Sequence, residues 1–284
     1  MAVPSGIRYI EIGVSDLARS LDFYQGLLGF RPAGDVSWSR ADRVRWLSAG
    51  PALVKLVGVG SGDLGGWRYD DDLQLGIRHV GWKVGEVDLQ AERLREGGAE
   101  FTIEPEDAVG EVRLAFFRDP DGALLEIIDG HLHYHTTWSA ELAERERAAA
   151  ERRPRGAGPS FDHVAVTVSD LDATLGFYRD VLGYQVIGQL DHGGPTGFLI
   201  TYLQAGGVVL EVFTFDAPKT ANPWTPREPR LGLRHIGIGV EDPNGALRRL
   251  TAAGAREVAG AVDGEAGRLL TDLDGIPLRA VPAR

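Results

Sequence analysis

Cysteine is absent from the 284 residues of the chain, and its absence narrows the chemistry that the protein can use. Disulfide bonds, thiolate metal sites and cysteine nucleophiles are all excluded. No apolar run approaches the roughly 20 residues that a membrane-spanning helix needs. The first ten residues lack the basic start and the apolar stretch of a secretory signal peptide. We therefore expect a cytoplasmic protein without a membrane partner.

Positive charge is also scarce. The chain has 30 Lys and Arg against 41 Asp and Glu, which gives a formal net charge of −11. A polyanion such as nucleic acid is therefore not expected as the main partner. The hydrophobic fraction of 43% is ordinary for a globular protein, and the length allows two domains with real cores.

Three sequence motifs of the first half return in the same order in the second half, each about 155 residues later. The first contains Ser-Asp-Leu and Phe-Tyr, the second is Leu-Gly-aliphatic-Arg-His-aliphatic-Gly, and the third is Asp-x-Asp-Gly. Repeats at one constant offset indicate an internal duplication. The matching segments are 14–30 with 168–184, 75–81 with 231–237, and 119–122 with 272–275.

Each half divides again into two units of similar plan. Residues 7–14 alternate as a half-buried strand does, Asp16 can cap a helix, and Gly29 can end it. The plan restarts at residue 77, with a helix at 87–96. This predicts four βαβββ modules, with residues 1–130 as the first half, 131–159 as a linker with a helix at 139–152, and 160–284 as the second half. The second half is predicted to contain strands at 161–168, 199–203, 208–213, 235–240, 268–271 and 277–281, and helices at 171–182 and 243–252.

These motifs together resemble the vicinal oxygen chelate superfamily, which includes glyoxalase I, extradiol dioxygenases and bleomycin-binding proteins. The resemblance covers nearly the whole chain except the linker. It implies an α+β fold in which βαβββ modules pair into curved-sheet cups. It also implies that metal ligands come from the first and last strand of each module.

The resemblance assigns two candidate ligand positions to each module. In fused glyoxalase I proteins the first module pairs with the fourth and the second with the third, which here would gather two histidines and two glutamates in one cup. If the first module paired with the second and the third with the fourth, no cup would contain all four of these residues. Strand alternation supports the inward direction of the second and third modules' residues. The positions are Tyr9 and Lys55, His79 and Glu126, His163 and Glu211, and His235 and Arg279, in module order.

Two imidazoles and two carboxylates suit one divalent ion, for which nickel, cobalt, zinc, manganese and iron are all candidates. In octahedral geometry two positions would stay open for water or substrate oxygens. The other cup would hold Tyr9, Lys55, His235 and Arg279, a polar and cationic set that suits a small anion rather than a divalent ion.

The resemblance implies a glyoxalase I-like lyase or isomerase that acts on a small vicinal-oxygen substrate through a metal-stabilised enediolate, with Glu126 or Glu211 as the base. One alternative is an Fe(II) extradiol-type dioxygenase that uses His79, His163 and Glu126. Another is a metal-free protein that binds a drug or natural product. Either a monomer or a homodimer fits the sequence.

A second histidine group lies in the linker, where His131, His133 and His135 alternate. On a strand they would share one face and could bind a metal ion. With no carboxylate expected near them, we interpret them instead as lining the edge of a cup or packing the linker.

Overall fold

A computed structural model describes residues 6–34, 43–193, 197–226, 230–258 and 267–283 of the chain. Four times along the chain, a strand is followed by a helix and three further strands. This is the βαβββ plan, repeated in the α+β fold that the sequence predicts.

The first half of the chain contains modules one and two. Module one consists of β1 (Gly6–Val14), α1 (Leu17–Leu21) continued by a π-helical turn (Asp22–Leu27), β2 (Arg31–Pro32), β3 (Val44–Ser48) and β4 (Leu53–Gly58). Module two consists of β5 (Gly76–Lys83), α2 (Val87–Glu96), β6 (Glu100–Ala108), β7 (Val112–Arg118) and β8 (Leu124–Ile128).

The linker and the second half follow. The linker contains β9 (Thr136–Thr137) and α3 (Ala140–Arg152). Module three consists of β10 (Ser160–Thr167), α4 (Leu171–Tyr178), β11 (Gln185–His192), β12 (Phe198–Ala205) and β13 (Val208–Phe215). Module four consists of β14 (Gly232–Val240), α5 (Pro243–Ala252), β15 (Arg256–Glu257), β16 (Arg268–Thr271) and β17 (Pro277–Pro282).

The modules combine across the two sequence halves. One sheet has eight strands in the order β15-β16-β17-β14-β1-β4-β3-β2, and the other has nine in the order β6-β7-β8-β5-β10-β13-β12-β11-β9. Module one therefore pairs with module four, and module two with module three, as the resemblance implied. Because each sheet draws strands from both halves, the limits 1–130, 131–159 and 160–284 stay a prediction about domains.

The first helix of each half begins and ends for local reasons. The Asp16 side chain accepts hydrogen bonds from two backbone N–H groups of α1, and Asp170 does the same for one N–H of α4. Gly29 and Gly183 follow these helices with positive φ, where a residue with a Cβ would be strained.

The apolar faces of both sheets pack with the helices into one large core. Ile10 and Val54 enter it from the eight-stranded sheet, and Val80 and Val164 from the nine-stranded sheet. Strand alternation then directs the residues between them to the opposite, concave face. All the candidate ligand positions lie on that face.

Two of the repeated motifs meet inside each half. The Tyr24 hydroxyl donates to Asp119 Oδ2 at 2.9 Å, and the Tyr178 hydroxyl donates to Asp272 Oδ2 at 2.8 Å. In both halves a helix of one module is thus joined to the last hairpin of the next. The repeat of Phe-Tyr and Asp-x-Asp-Gly therefore has a structural reason.

The structure differs from the sequence prediction in two respects. The short strands β2, β9 and β15 and the longer strand β11 were not predicted, and α4 ends at Tyr178 rather than at residue 182. The chain after α4 continues in a wide turn, in which the N–H of Leu182 bonds to the carbonyl of Phe177. Within the described ranges, no helix is long and apolar enough to cross a membrane.

Candidate metal centre

Four buried side chains of the nine-stranded sheet converge on one point, and they are the four at which the sequence predicts a metal site. One donor atom of each lies within 4.8 Å of the donor atoms of the others. Glu126 Oε2 is 2.8 Å from His79 Nε2 and 3.2 Å from His163 Nε2. Glu211 Oε2 is 3.3 Å and 3.5 Å from the same two nitrogens. None of the four residues is more than 7% exposed.

The register of the central strands produces this convergence. Strands β5 and β10 run antiparallel, so each histidine faces a small residue on the other strand. Strands β8 and β13 are their parallel outer neighbours, and each places a glutamate beside that small residue. The resulting rows are His163, Gly81 and Glu126 on one side, and His79, Ala165 and Glu211 on the other.

Gly81 is needed for the position of His163. A Cβ at residue 81 would lie 2.0 Å from His163 Cε1, far inside van der Waals contact. The imidazole therefore lies over the backbone of the neighbouring strand, in space that only glycine leaves open.

The charges of the cluster stabilise one another. Burial alone would raise the pKa of Glu126, but the neighbouring His163 and His79 outweigh it and lower that pKa to about 2. Burial would lower the pKa of His163, but the carboxylates of Glu211 and Glu126 raise it well above its ordinary value. The site therefore holds carboxylate charge that favours a cation between its donor atoms.

One buried oxygen of the cluster has no hydrogen-bond partner among the described residues, namely Glu211 Oε2. The Nε2 atoms of His79 and His163 also face each other at 3.1 Å. A buried polar atom without a partner commonly indicates a water molecule or an ion at that place. Two imidazole nitrogens and two carboxylate oxygens around one point are a donor set that a divalent metal ion fits.

Glu126 and Glu211 line a cavity of about 610 Å³. The Arg78 guanidinium lies 4.4 Å from the Phe213 ring centroid and forms an ion pair with Asp72 at 2.6 Å. This arginine thus has an acidic partner at the cavity wall. Most of the lining is aromatic or aliphatic, including Leu114, Phe116, Phe198, Ile200, Phe213 and Phe215.

The other sheet brings together its own candidate set, but with an acidic residue that sequence reasoning missed. Glu11 is 2% exposed, and its Oε2 lies 2.5 Å from Lys55 Nζ. Its Oε1 lies 2.8 Å from Arg234 Nε and 3.3 Å from His235 Nδ1. The Tyr9 hydroxyl lies 2.9 Å from His235 Nε2. Arg279, the fourth expected residue, is also buried.

Glu11 adds one buried carboxylate to this cationic set. It pairs with Lys55 and Arg234, so part of the positive charge of the cup is compensated from within, and anion binding there stays a prediction. Burial lowers the pKa of His235 to about 4, against the opposing effect of Glu11, so its imidazole is neutral near pH 7. In the described parts of the chain, the only group that could hold a metal ion is the one in the nine-stranded sheet.

The structure also corrects the expectation about the surroundings of the linker histidines. The expectation that no carboxylate lies near them was wrong, because His133 Nδ1 is 3.1 Å from Glu111 Oε2. The rings of His131 and His133 lie with their centroids 4.7 Å apart; His133 is exposed and His131 is half-buried. His135 Nδ1 accepts a hydrogen bond from the backbone of Asp191. These contacts tie the linker to modules two and three.

Sequence reasoning missed three residues with a place in these clusters, Glu11, Arg234 and Asp162. Glu11 could have been found, because alternation puts it on the same face as Tyr9. Asp162 Oδ2 lies 3.0 Å from His163 Nδ1. Alternation would direct its side chain away from that face, so nothing in the sequence pattern indicated it.

Comparison with known protein families shows the superfamily to which the chain belongs. The chain matches the family described as the glyoxalase/bleomycin resistance protein/dioxygenase superfamily over residues 6–127 and 160–279. These segments contain all four modules, and the chain belongs to this superfamily.

The individual proteins that the chain resembles have low sequence identity to it. The chain is 26% identical over 277 residues to lactoylglutathione lyase GLX1 of Arabidopsis thaliana, covering 92% of this chain and 82% of that protein. It is also 26% identical over 185 residues to anthracycline biosynthesis protein DauV of Streptomyces sp. (strain C5), covering 63% of this chain but only 61% of that protein. The crystal structure of glyoxalase I from Zea mays matches with a TM-score of 0.66 and 21% identity, over 98% of this chain and 92% of that one. At this identity the structural likeness concerns the fold alone.

Proposed function

We propose that the chain is a metal-dependent lyase or isomerase whose active site is the cluster in the nine-stranded sheet. His79, Glu126, His163 and Glu211 would hold one divalent ion. The observation that carries the proposal is the convergence of these four buried donors, with Glu211 Oε2 lacking a hydrogen-bond partner among the described residues.

The bound metal would act as a Lewis acid that polarises the vicinal oxygens of a substrate. The protein itself must supply a base that takes a proton from the neighbouring carbon. We propose Glu211 for this role. Glu126 makes the closer contacts with both imidazoles, at 2.8 Å and 3.2 Å, which favours a fixed ligand role for it. Glu211 makes longer contacts with the imidazoles and lines the cavity.

The cavity supports a small-molecule substrate with an apolar body. Its aromatic and aliphatic wall would exclude water around such a body while the polar end reaches the glutamates.

The experiment that tests the proposal is metal analysis of the full chain purified without chelator. We expect about one divalent ion per chain in the wild type, and its loss in His163→Ala because one of the four ligand side chains is removed. His133→Ala, an exposed linker histidine, is the matched control and should keep the ion. No ion in the wild type, and none taken up on titration, would refute the enzyme and favour a metal-free binding protein.

The identity of the metal separates the remaining alternatives. Iron, together with oxygen-dependent ring cleavage of a catechol, would favour the extradiol-type dioxygenase. The presence of Glu211 as a fourth donor argues against that enzyme, whose ligand set is two histidines and one carboxylate with three open positions. For the lyase or isomerase, Glu211→Gln should remove turnover even at saturating metal.

A further inference from the structure

Each module has a β-bulge in its first strand, directly before its candidate ligand position. Strand β10 advances two residues from Phe161 to His163 while its partner β5 advances one. The pairings of β5, β1 and β14 contain the same step. The extra residues are Arg8, Arg78, Asp162 and Arg234 in module order.

A bulge breaks the strict alternation of a strand and redirects a side chain. Two of the arginines show where the redirected side chain goes. Arg234 Nε reaches Glu11 in the eight-stranded sheet at 2.8 Å, and Arg78 stacks on Phe213 at the cavity wall. The bulge residue therefore stays on the side of the cluster. Module three is the one that has an acid at this position.

The acid lies behind one of the candidate metal ligands. Asp162 Oδ2 is 3.0 Å from His163 Nδ1, and Lys83 Nζ lies 3.9 Å from the same oxygen. An ionised carboxylate only accepts hydrogen bonds, so the ring proton of His163 must be on Nδ1. In the neutral ring, the lone pair of Nε2 then points at Glu126, Glu211 and His79.

We infer that Asp162 is a positioning residue, which fixes the orientation and the tautomer of His163 so that Nε2 is presented to the metal ion. The inference rests on the proposed function, since it needs a metal ion in the cluster. A carboxylate that accepts from the other ring nitrogen of a metal-bound histidine makes the imidazole a better ligand, and its loss typically weakens metal binding by about 10- to 100-fold.

His79 provides an internal comparison. Among the residues that the structure describes, no carboxylate lies within 4.0 Å of its Nδ1, and the bulge residue before it is Arg78. The two imidazoles therefore differ in that His163 has a carboxylate behind its ring, although the backbones of their strands correspond.

The test uses the full-length chain with Co²⁺ as the probe metal. The variants are Asp162→Ala, which removes the acceptor, Asp162→Asn, which keeps an acceptor oxygen without charge, and Asp88→Asn as the control. Asp88 is an exposed carboxylate paired with Arg113. Affinity is measured by calorimetric titration. In the loaded protein, solvent exchange of the histidine ring N–H protons is measured by NMR from their paramagnetically shifted signals.

We expect Asp162→Ala to bind Co²⁺ about 10- to 100-fold more weakly, Asp162→Asn to fall between it and the wild type, and Asp88→Asn to match the wild type. One slowly exchanging ring N–H signal should become fast in Asp162→Ala. Wild-type affinity and exchange in that variant would overturn the inference. If that variant does not fold, the same result in Asp162→Asn overturns it. Failure of the wild type to bind Co²⁺ would instead count against the proposed function.

Discussion

The Lys55 ammonium lies 2.5 Å from the Glu11 carboxylate, and both groups are buried in the eight-stranded sheet. Glu11 faces His235 across the two central strands, in the place where Ala165 faces His79 in the other sheet. Lys55 is on the neighbouring strand, at the position that corresponds to Glu211. One cup thus contains a built-in cation and anion where the other contains four converging candidate ligand atoms.

Breaking this ion pair should lower the stability of the chain without changing its metal content. Lys55→Met leaves the Glu11 charge buried with one partner fewer, and breaking a buried pair in this way typically costs about 3–5 kcal/mol. We expect that loss in the free energy of unfolding, measured by urea denaturation. The double variant Lys55→Met with Glu11→Gln should recover part of it, because no lone buried charge remains. Equal stability of Lys55→Met and the wild type would contradict this interpretation.

A matched pair of glycines tests whether the orientation of His163 matters for metal binding. Ala at position 81 would bring its Cβ to 2.0 Å from the His163 ring, and Ala at position 237 would do the same to the Tyr9 ring in the other sheet. Each substitution should cost about 1–3 kcal/mol of stability through overpacking. Only Gly81→Ala should also weaken metal binding in a calorimetric titration. Equal affinities in the two variants would contradict the prediction that the ring position set by Gly81 matters for metal binding.

The fold could be predicted from the sequence because the duplication is strong and the helix signals are local. Asp16 and Gly29 bound the first helix in the structure as they do in the pattern. Strand β11 was missed because Gly188 interrupts its alternation, where the pairing with β12 slips by one residue. The end of α4 was missed because its last turn widens, and apolar spacing does not distinguish a wide turn from a helix.

The parts of the candidate site that lie at regular strand positions could be predicted from the sequence. The part that depends on an irregularity of the backbone could not. The positions of His79, Glu126, His163 and Glu211 came from the family resemblance, and strand alternation supported their direction. The placement of Asp162 depends on a bulge, which no residue type in 160–163 specifies. Glu11 was overlooked because the resemblance assigns the ligand position of this strand to Tyr9, two residues before it.

Metal removal should lower the stability of the wild type. An ion that binds only the folded chain stabilises it by about 2.7 kcal/mol when its free concentration is a hundred times the dissociation constant. We therefore expect the thermal midpoint to fall on adding a chelator and to return on adding excess metal. His163→Ala should have the same midpoint with and without metal, whereas His133→Ala should respond as the wild type does. A chelator response in His163→Ala would mean that the ion binds elsewhere.

The buried aspartates of the repeated turns predict how stability depends on pH. Burial raises the pKa of Asp272 to about 7 and that of Asp119 to about 6, whereas an unfolded aspartate titrates near 3.9. Between pH 4 and pH 7 the folded chain therefore binds more protons than the unfolded chain. Through this linkage their contribution is fully favourable below pH 4, and it is lost as the pH rises towards 7.

Asp272→Asn should flatten this dependence. The amide oxygen can accept from the backbone N–H groups of Asp274 and Ile276, and the amide nitrogen can donate to Tyr178, so the turn is retained. Relative to the wild type, the variant should gain on the order of 4 kcal/mol between pH 4 and pH 8, since each pKa unit corresponds to about 1.4 kcal/mol. Urea denaturation with chelator present, at four pH values in that range, measures the difference. Asp88→Asn is the control: this exposed carboxylate has a lowered pKa, so its removal should not flatten the curve. Parallel curves for Asp272→Asn and the wild type would mean that Asp272 is already ionised in the fold at pH 4.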